Sequence, residues 1–306
     1  MSSELIQELQ DRISQNPKDY DAVEQYAIEL SDIGENEEAL KNFMFLKSVF
    51  PDNAKIYYNI GIILEKLKMF DDSLVAYEQA NKLEPDNTDI MYNLANVYIK
   101  AEEYEAAEKL LLKVIETDKD DQNSYFHLGE IYSRKKQYEN AVKYLSKAVE
   151  LDNSDTISKF YLAYAFSELG DTETAIRLYT QIINENPEYS WAYFNLAAIY
   201  ISKEQEDKAV MFLEKTIQTN PRDINAIKMY IKLLSKHKKY SVAEKLLKQA
   251  TANMPEEADL YYLLAQIYQK LNSKPNYIKY LQTTLSKQVT FSGDIDELKN
   301  EIEKAK

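Results

Sequence analysis

Few residues in this chain have types and spacings that could do covalent chemistry. Cysteine is absent from the 306 residues, which removes disulfides, thiolate metal sites and a cysteine nucleophile together. Only two histidines occur, His127 and His237, too far apart in sequence to form a ligand pair. No phosphate-cradling G-x-x-x-x-G-K, no G-x-S-x-G elbow and no H-E-x-x-H is present. Asp118, Asp120 and Asp121 ahead of Glu130 bear a faint likeness to a calcium loop. Gln122 and Asn123, however, stand where a strong ligand and a glycine are needed, and the glutamate falls one place late. The expectation is a protein that is not an enzyme and needs no cofactor or metal.

Non-covalent chemistry is better provided for. Gln25, Asn59, Asn93, His127, Tyr161 and Asn195 recur 34 residues apart, and each can hydrogen-bond. An asparagine amide donates and accepts at once, so a line of them can grip the backbone of an extended peptide without reading its sequence. Ordinary solvent-facing polar residues would give the same pattern. One residue earlier in each period stand Tyr58, Tyr92, Phe126, Phe160 and Phe194. Those rings either pack against the following period or lie partly open as an interface, where aromatic side chains are favoured. Asn96 joins the same candidate face. Lys228, Lys232 and Lys236 form a ridge at i, i+4, i+8, read either as a solvated stripe or as a receptor for an acidic segment or C-terminal carboxylate.

The elements that position these residues are visible in Ser190 to Pro221. Tyr193, Leu196, Ala197 and Tyr200 make one helical stripe, and Ala209, Leu213 and Thr216 make a second after the polar break Lys203 to Asp207. Asn220-Pro221 stops the second helix. The unit is two antiparallel helices, and it recurs from Tyr20, Ala54, Thr88, Gln122, Thr156, Ser190, Ile224 and Ala258. Position 8 of the unit is small in all but the seventh copy, where it is Ile231; position 20 is small in all but the eighth, where it is Tyr277. Overpacking such sites costs roughly 1–3 kcal/mol, so the smallness is steric. Gly34 and Gly170 suit the turn between the helices of their units.

Tyr193, Leu196, Ala197, Tyr200, Ala209, Leu213 and Pro221 stand on the positions of the W-x₂-L-G-x₂-Y, A-x₃-F, P signature. The chain therefore resembles the tetratricopeptide-repeat family, with tyrosine in place of the first tryptophan. The resemblance implies an all-α, right-handed α-solenoid of eight repeats over residues 20–291, whose first helices line an inner groove. With positions 4, 7, 8 and 11 used in packing, positions 2, 5, 6, 9, 12 and 13 are those that can face that groove. The polar line then resembles the asparagine ladder of O-linked N-acetylglucosamine transferases and the backbone-holding asparagine of chaperone-binding members. The two-carboxylate clamp of the latter is not expected, because Tyr58 and Tyr92 occupy candidate lysine sites.

At the ends, residues 1–19 contain a lone helix with Leu5, Ile6, Leu9 and Ile13 on one face, read as an N-terminal cap. Residues 292–306 read as a C-terminal cap, opened by Asp294 and Glu297 in a D-x-x-E variant of the capping box. Net charge is −14, which argues against a nucleic-acid ligand. The charge is uneven: residues 1–50 carry 4 basic and 11 acidic side chains, and residues 222–306 carry 15 and 10. With no secretory leader pattern and no long apolar run, a soluble cytoplasmic protein without membrane contact is expected.

The expected function is an adaptor or scaffold that binds an extended or helical segment of a protein partner. The groove candidates are Asn59, Asn93, Asn96, His127, Tyr161, Asn195, Tyr58, Tyr92, Phe126, Phe194, Lys228, Lys232 and Lys236. The other readings are a structural subunit that packs into an assembly through its outer face or end helices, and a substrate-recruiting module for an enzyme on another chain.

Overall fold

A computed structural model describes residues 2–305, and every regular element among them is helical. Helix α1 (Ser2–Gln15) is followed by pairs: α2 (Tyr20–Asp32) with α3 (Asn36–Val49), α4 (Ala54–Lys66) with α5 (Phe70–Leu83), α6 (Thr88–Lys100) with α7 (Tyr104–Thr117), and α8 (Gln122–Arg134) with α9 (Tyr138–Leu151). Next come α10 (Thr156–Glu168) and α11 (Thr172–Glu185), α12 (Ser190–Ser202) with α13 (Glu206–Thr219), α14 (Ile224–Lys236) with α15 (Tyr240–Asn253), and α16 (Ala258–Lys270) with α17 (Lys274–Ser286). A 3₁₀ turn, Gln288–Thr290, leads to α18 (Ile295–Ala305). The helices gather into two compact units, residues 1–161 and 162–306. The architecture is that of an α-solenoid, with helices packed on their sequence neighbours.

The turn inside each pair is the same device repeated. The residue two places past the first helix has a left-handed φ every time: Lys68, Glu102, Lys136, Glu204, Lys238 and Asn272 at 56–62°, Gly34 at 89° and Gly170 at 84°. The amide that follows reaches back to the carbonyl five residues earlier, as in Glu35 N to Leu30 O at 2.8 Å and Lys239 N to Leu234 O at 2.8 Å. This is the Schellman closure, and it fixes the angle at which the second helix leaves. Only two of the eight copies use glycine, so elsewhere lysine, glutamate or asparagine is held in a conformation that disfavours a Cβ.

Packing between the two helices of a pair is large against small. The eighth residue of the second helix is fully buried in every repeat: Phe43, Tyr77, Leu111, Leu145, Tyr179, Leu213, Leu247 and Leu281 are all 0% exposed. The first helix supplies a small residue opposite. A Cβ on Gly61 would lie 2.7 Å from the Tyr77 ring, and one on Gly129 would lie 2.3 Å from Leu145. Burying such a side chain contributes roughly 1.5–3 kcal/mol, which the smallness opposite it makes possible. Ser73, in place of the usual alanine, is satisfied by donating to Gly61 O at 3.0 Å.

The ends close differently. In α1, Leu9 is 1% exposed, and Gln10 donates to the Tyr26 hydroxyl at 2.7 Å. At the other end Tyr277 fills the place of alanine, and its hydroxyl donates to Glu301 of α18 at 2.6 Å. Leu298 and Ile302 of α18 are buried beneath it. Asp294 caps α18 by accepting from Asp296 N and Glu297 N, both at 2.8 Å. Pro275 sits in the first turn of α17, where its missing N–H costs nothing.

Candidate functional site

In the first unit, two residue series of the first helices meet in register. The fifth residue of one repeat touches the sixth residue of the next. The Tyr58 hydroxyl accepts from Asn93 Nδ2 at 2.9 Å. The Tyr92 ring lies 5.8 Å from that of His127, and the Phe126 ring meets Tyr161 edge-on at 5.5 Å. Tyr58, Asn59, Tyr92, Asn93, Asn96, Phe126, His127 and Tyr161 are all half-buried, and Gln25 is exposed. The rings therefore do both things open to them: one edge packs against the next repeat and the remainder faces out. Burial raises the pKa of Tyr58, helped by the charge of Asp89, and burial also raises those of Tyr92 and Tyr161. These hydroxyls stay protonated as donors throughout the neutral range.

The amides are partly engaged. Asn93 Nδ2 also donates to Asp89 O at 2.9 Å, and Asn195 Nδ2 donates to Trp191 O at 2.8 Å. Bonding to the carbonyl one turn back fixes each side chain on its helix and leaves its oxygen as an acceptor for another chain's N–H. Asn59 Nδ2 is a buried atom without a hydrogen-bond partner, which costs free energy, while Asn96 lies close enough to the Tyr92 hydroxyl to oppose part of the rise in its pKa.

His127 is anchored from below. Its Nδ1 lies 3.3 Å from Glu130 Oε2, while Arg134 donates to Glu130 Oε1 at 2.8 Å. Burial pushes the Glu130 carboxyl up, but His127 and Arg134 together outweigh it and hold it below the usual range. Glu130 is thus an internal strut and not a calcium ligand. Asp121 is likewise used locally, accepting from Ser124 N at the start of α8. Among the described residues no group of three or more His, Asp or Glu is placed to hold a metal.

In the second unit a depression of about 770 Å³ lies between α12 and α14. Phe194, Ile201, Met229 and Leu233 form its apolar floor, and Lys228, Lys232 and Lys236 rise along one wall with Glu204 and Glu206 opposite. The lysines are not equivalent. Lys228 is paired with Asp259 and Lys236 with Glu206, each at 2.5 Å, whereas Lys232 is exposed and has no ion pair among the described residues. Only Lys232 keeps its charge unspent for an incoming carboxylate. Asp259 is buried although it occupies a position expected to face outward; it also accepts from Ser292 N at 2.8 Å, which draws the C-terminal segment onto α16.

Sequence reasoning passed over Trp191, the single tryptophan, which is 56% exposed at the start of α12. It also passed over Met44, Met69 and Val75, which stay exposed on and beside the second helices of the first two repeats. The available signal was an apolar residue at positions that are mostly charged or polar in the other repeats.

A family model described as the tetratricopeptide repeat matches residues 54–87, the stretch spanned by α4, α5 and the turn after them. The chain is a tetratricopeptide-repeat protein. Models for the C-terminal ARM domain of tetratricopeptide repeat protein 21 and for ChAPs, the Chs5p-Arf1p-binding proteins, match residues 90–192 and 172–285. This tetratricopeptide protein is similar in structure to YrrB, described as a TPR protein with an unusual peptide-binding site. That likeness has 24% identity and a TM-score of 0.55, over 61% of this chain and 96% of that one. A tetratricopeptide repeat protein from Parabacteroides merdae shares 17% identity with a TM-score of 0.59, over 94% of this chain and 98% of its own. A chain of the APC/C hetero-tetramer Cut9-Hcn1 shares 16% identity with a TM-score of 0.55, over 87% and 52% of the two chains. No curated protein matches the tetratricopeptide chain in sequence. No helix among its described residues is long and apolar enough to cross a membrane.

Proposed function

We propose that this tetratricopeptide protein is a non-catalytic adaptor that holds an extended or helical segment of a partner protein against its first helices. The observation that carries this reading is the continuous register from Tyr58 to Asn93, Tyr92 to His127 and Phe126 to Tyr161. It lines one face with half-buried rings and with amide oxygens that have no other use. Asn59, Asn93 and, in the second unit, Asn195 would bond the partner's backbone, while the rings receive its side chains. The depression over Phe194 and Met229 would take an apolar side chain beside an acidic group bound by Lys232. Similarity in fold to a protein described by its peptide-binding site supports the same reading.

The test is a quantitative comparison of partners captured by the parent chain and by an Asn59→Ala, Asn93→Ala, Asn195→Ala variant that stays folded. Depletion of a defined set of partners is expected. An undiminished set would point to other surfaces, the structural-subunit role.

A further inference from the structure

A second surface, on the other helix of each pair, has features that the ladder face does not explain. Leu40 and Met44 of α3, Leu64 of α4, Val75 of α5 and Met69 just before α5 enclose a groove of about 290 Å³. Met44, Met69 and Val75 are 48%, 44% and 64% exposed. In the other repeats the Val75 position is mostly basic, as at Lys109, Lys143, Arg177 and Lys245, and the Met44 position is mostly polar, as at Glu78, Ser146 and Glu214. Apolar residues thus stand where the other repeats are mostly polar on the second helices of two successive pairs, and they share one groove. Apolar side chains left this open and gathered in one groove are a feature that contact surfaces share.

Charge decides what fits there. Helices α3 and α5 open with Glu37, Glu38 and with Asp71, Asp72, and Asp72 is itself part of the groove lining. Lys41 is taken by Glu38 at 2.8 Å, while Glu37, Asp71 and Asp72 have no ion pair among the described residues. At the opposite end Lys47 is held over the Tyr57 ring at 5.2 Å. The groove is therefore apolar along its floor and acidic at the end where both helices begin.

We propose that this groove docks an amphipathic helix of a partner protein. Its apolar stripe of leucine- or methionine-sized side chains would lie over Met44 and Val75, and its lysine or arginine residues beside Glu37, Asp71 and Asp72. Insertion of apolar side chains supplies affinity, and the acidic rim selects and orients a basic helix.

The experiment uses the full chain and two fluorescein-labelled synthetic helices of about 20 residues. Both carry leucine at i, i+3, i+4 and i+7; one is flanked by lysine and the other by glutamate. Anisotropy titration is expected to show the lysine peptide binding about tenfold or more tighter than the glutamate peptide, with salt weakening it. A Met44→Glu, Val75→Glu variant is expected to lose about tenfold or more, and Asp71→Lys, Asp72→Lys, at exposed sites, to lose several-fold, with the helical circular-dichroism signal of each variant checked against the parent. Asn59→Ala with Asn93→Ala is expected to leave this binding unchanged, which separates its failure from that of the ladder face. Equal binding of both peptides, or indifference to both groove variants, overturns the proposal. So does sedimentation showing that the parent chain self-associates and that Met44→Glu, Val75→Glu makes it monomeric, since a second copy would then cover the groove.

Discussion

The hydroxyl of Tyr58 accepts a hydrogen bond from the side-chain amide of Asn93 in the next repeat at 2.9 Å. A residue that packs one repeat thereby orients the polar group of another. Tyr58→Phe keeps the ring and removes the acceptor, so a stability loss of about 0.5–1.5 kcal/mol is expected. The variant also frees one Asn93 N–H. If the Asn93 amide serves a partner, affinity should change in Tyr58→Phe without the loss seen in Asn93→Ala. Urea midpoints and partner titrations on the two variants check this, and identical affinities would remove Asn93 from the recognition face.

Gly61 exists because Tyr77 does. With the ring 2.7 Å from where a Cβ would stand, Gly61→Ala is expected to cost about 1–3 kcal/mol through overpacking. Adding Tyr77→Leu recreates the Ala95 and Leu111 pairing of the third repeat, and most of the loss should return. A double-mutant cycle measured by chemical denaturation reads the coupling; additive effects would refute the steric account.

The left-handed residues of the inter-helix turns give a stabilising series. Lys68→Gly, Glu102→Gly and Lys238→Gly each relieve a Cβ in an αL conformation, with an expected gain of about 0.5–1 kcal/mol. Gly34→Ala, at a φ of 89° with open space around it, should lose a similar amount through backbone strain alone. Thermal unfolding midpoints of the four variants should therefore move in opposite directions.

Asp259 governs an acid-side dependence. Burial pushes its carboxyl up, yet Lys228 and the Ser292 N–H outweigh burial and hold it below its ordinary value. A carboxyl whose folded pKa is depressed stabilises the fold above its unfolded pKa of about 3.9, and that stabilisation is lost as pH falls through the folded value. Lys228→Met removes the larger of these counterweights. The variant should be less stable near neutrality by about 1–2 kcal/mol, Lys228 being partly solvated. Its loss on acidification should begin at higher pH than in the parent. Asp259→Asn in the same background should flatten that difference, and an unchanged pH profile for Lys228→Met would show that the ion pair carries no net weight.

The fold class was readable because it rests on steric repetition: small residues such as Ala95 and Ala197 recur opposite large ones such as Leu111 and Leu213, and composition cannot imitate that period. The left-handed turns were readable only at Gly34 and Gly170, because lysine and glutamate advertise no special backbone. Candidate site residues could be placed on a face by their spacing, but their partners could not. Whether Lys228 is free or spent depends on Asp259, 31 residues on, and that pairing requires the turn after α15 to bring α16 alongside. The exposure of Met44 and Val75 was hidden for another reason: an apolar residue on a helix is ordinarily read as core, and only the neighbouring helices show which side it faces.

Several side-chain bonds between helix pairs span about one repeat. Lys66 reaches back to Ser31, Gln122 reaches forward to Ser158, and Lys228 to Asp259, separations of 35, 36 and 31 residues. Each bond ties a helix pair to its immediate neighbour and to nothing farther. Within each unit, then, damage has a short reach: opening of one pair weakens the two beside it and is not felt beyond them. Amide exchange should accordingly advance inward from the termini in steps, like a zip with graded teeth, and not as one all-or-none event.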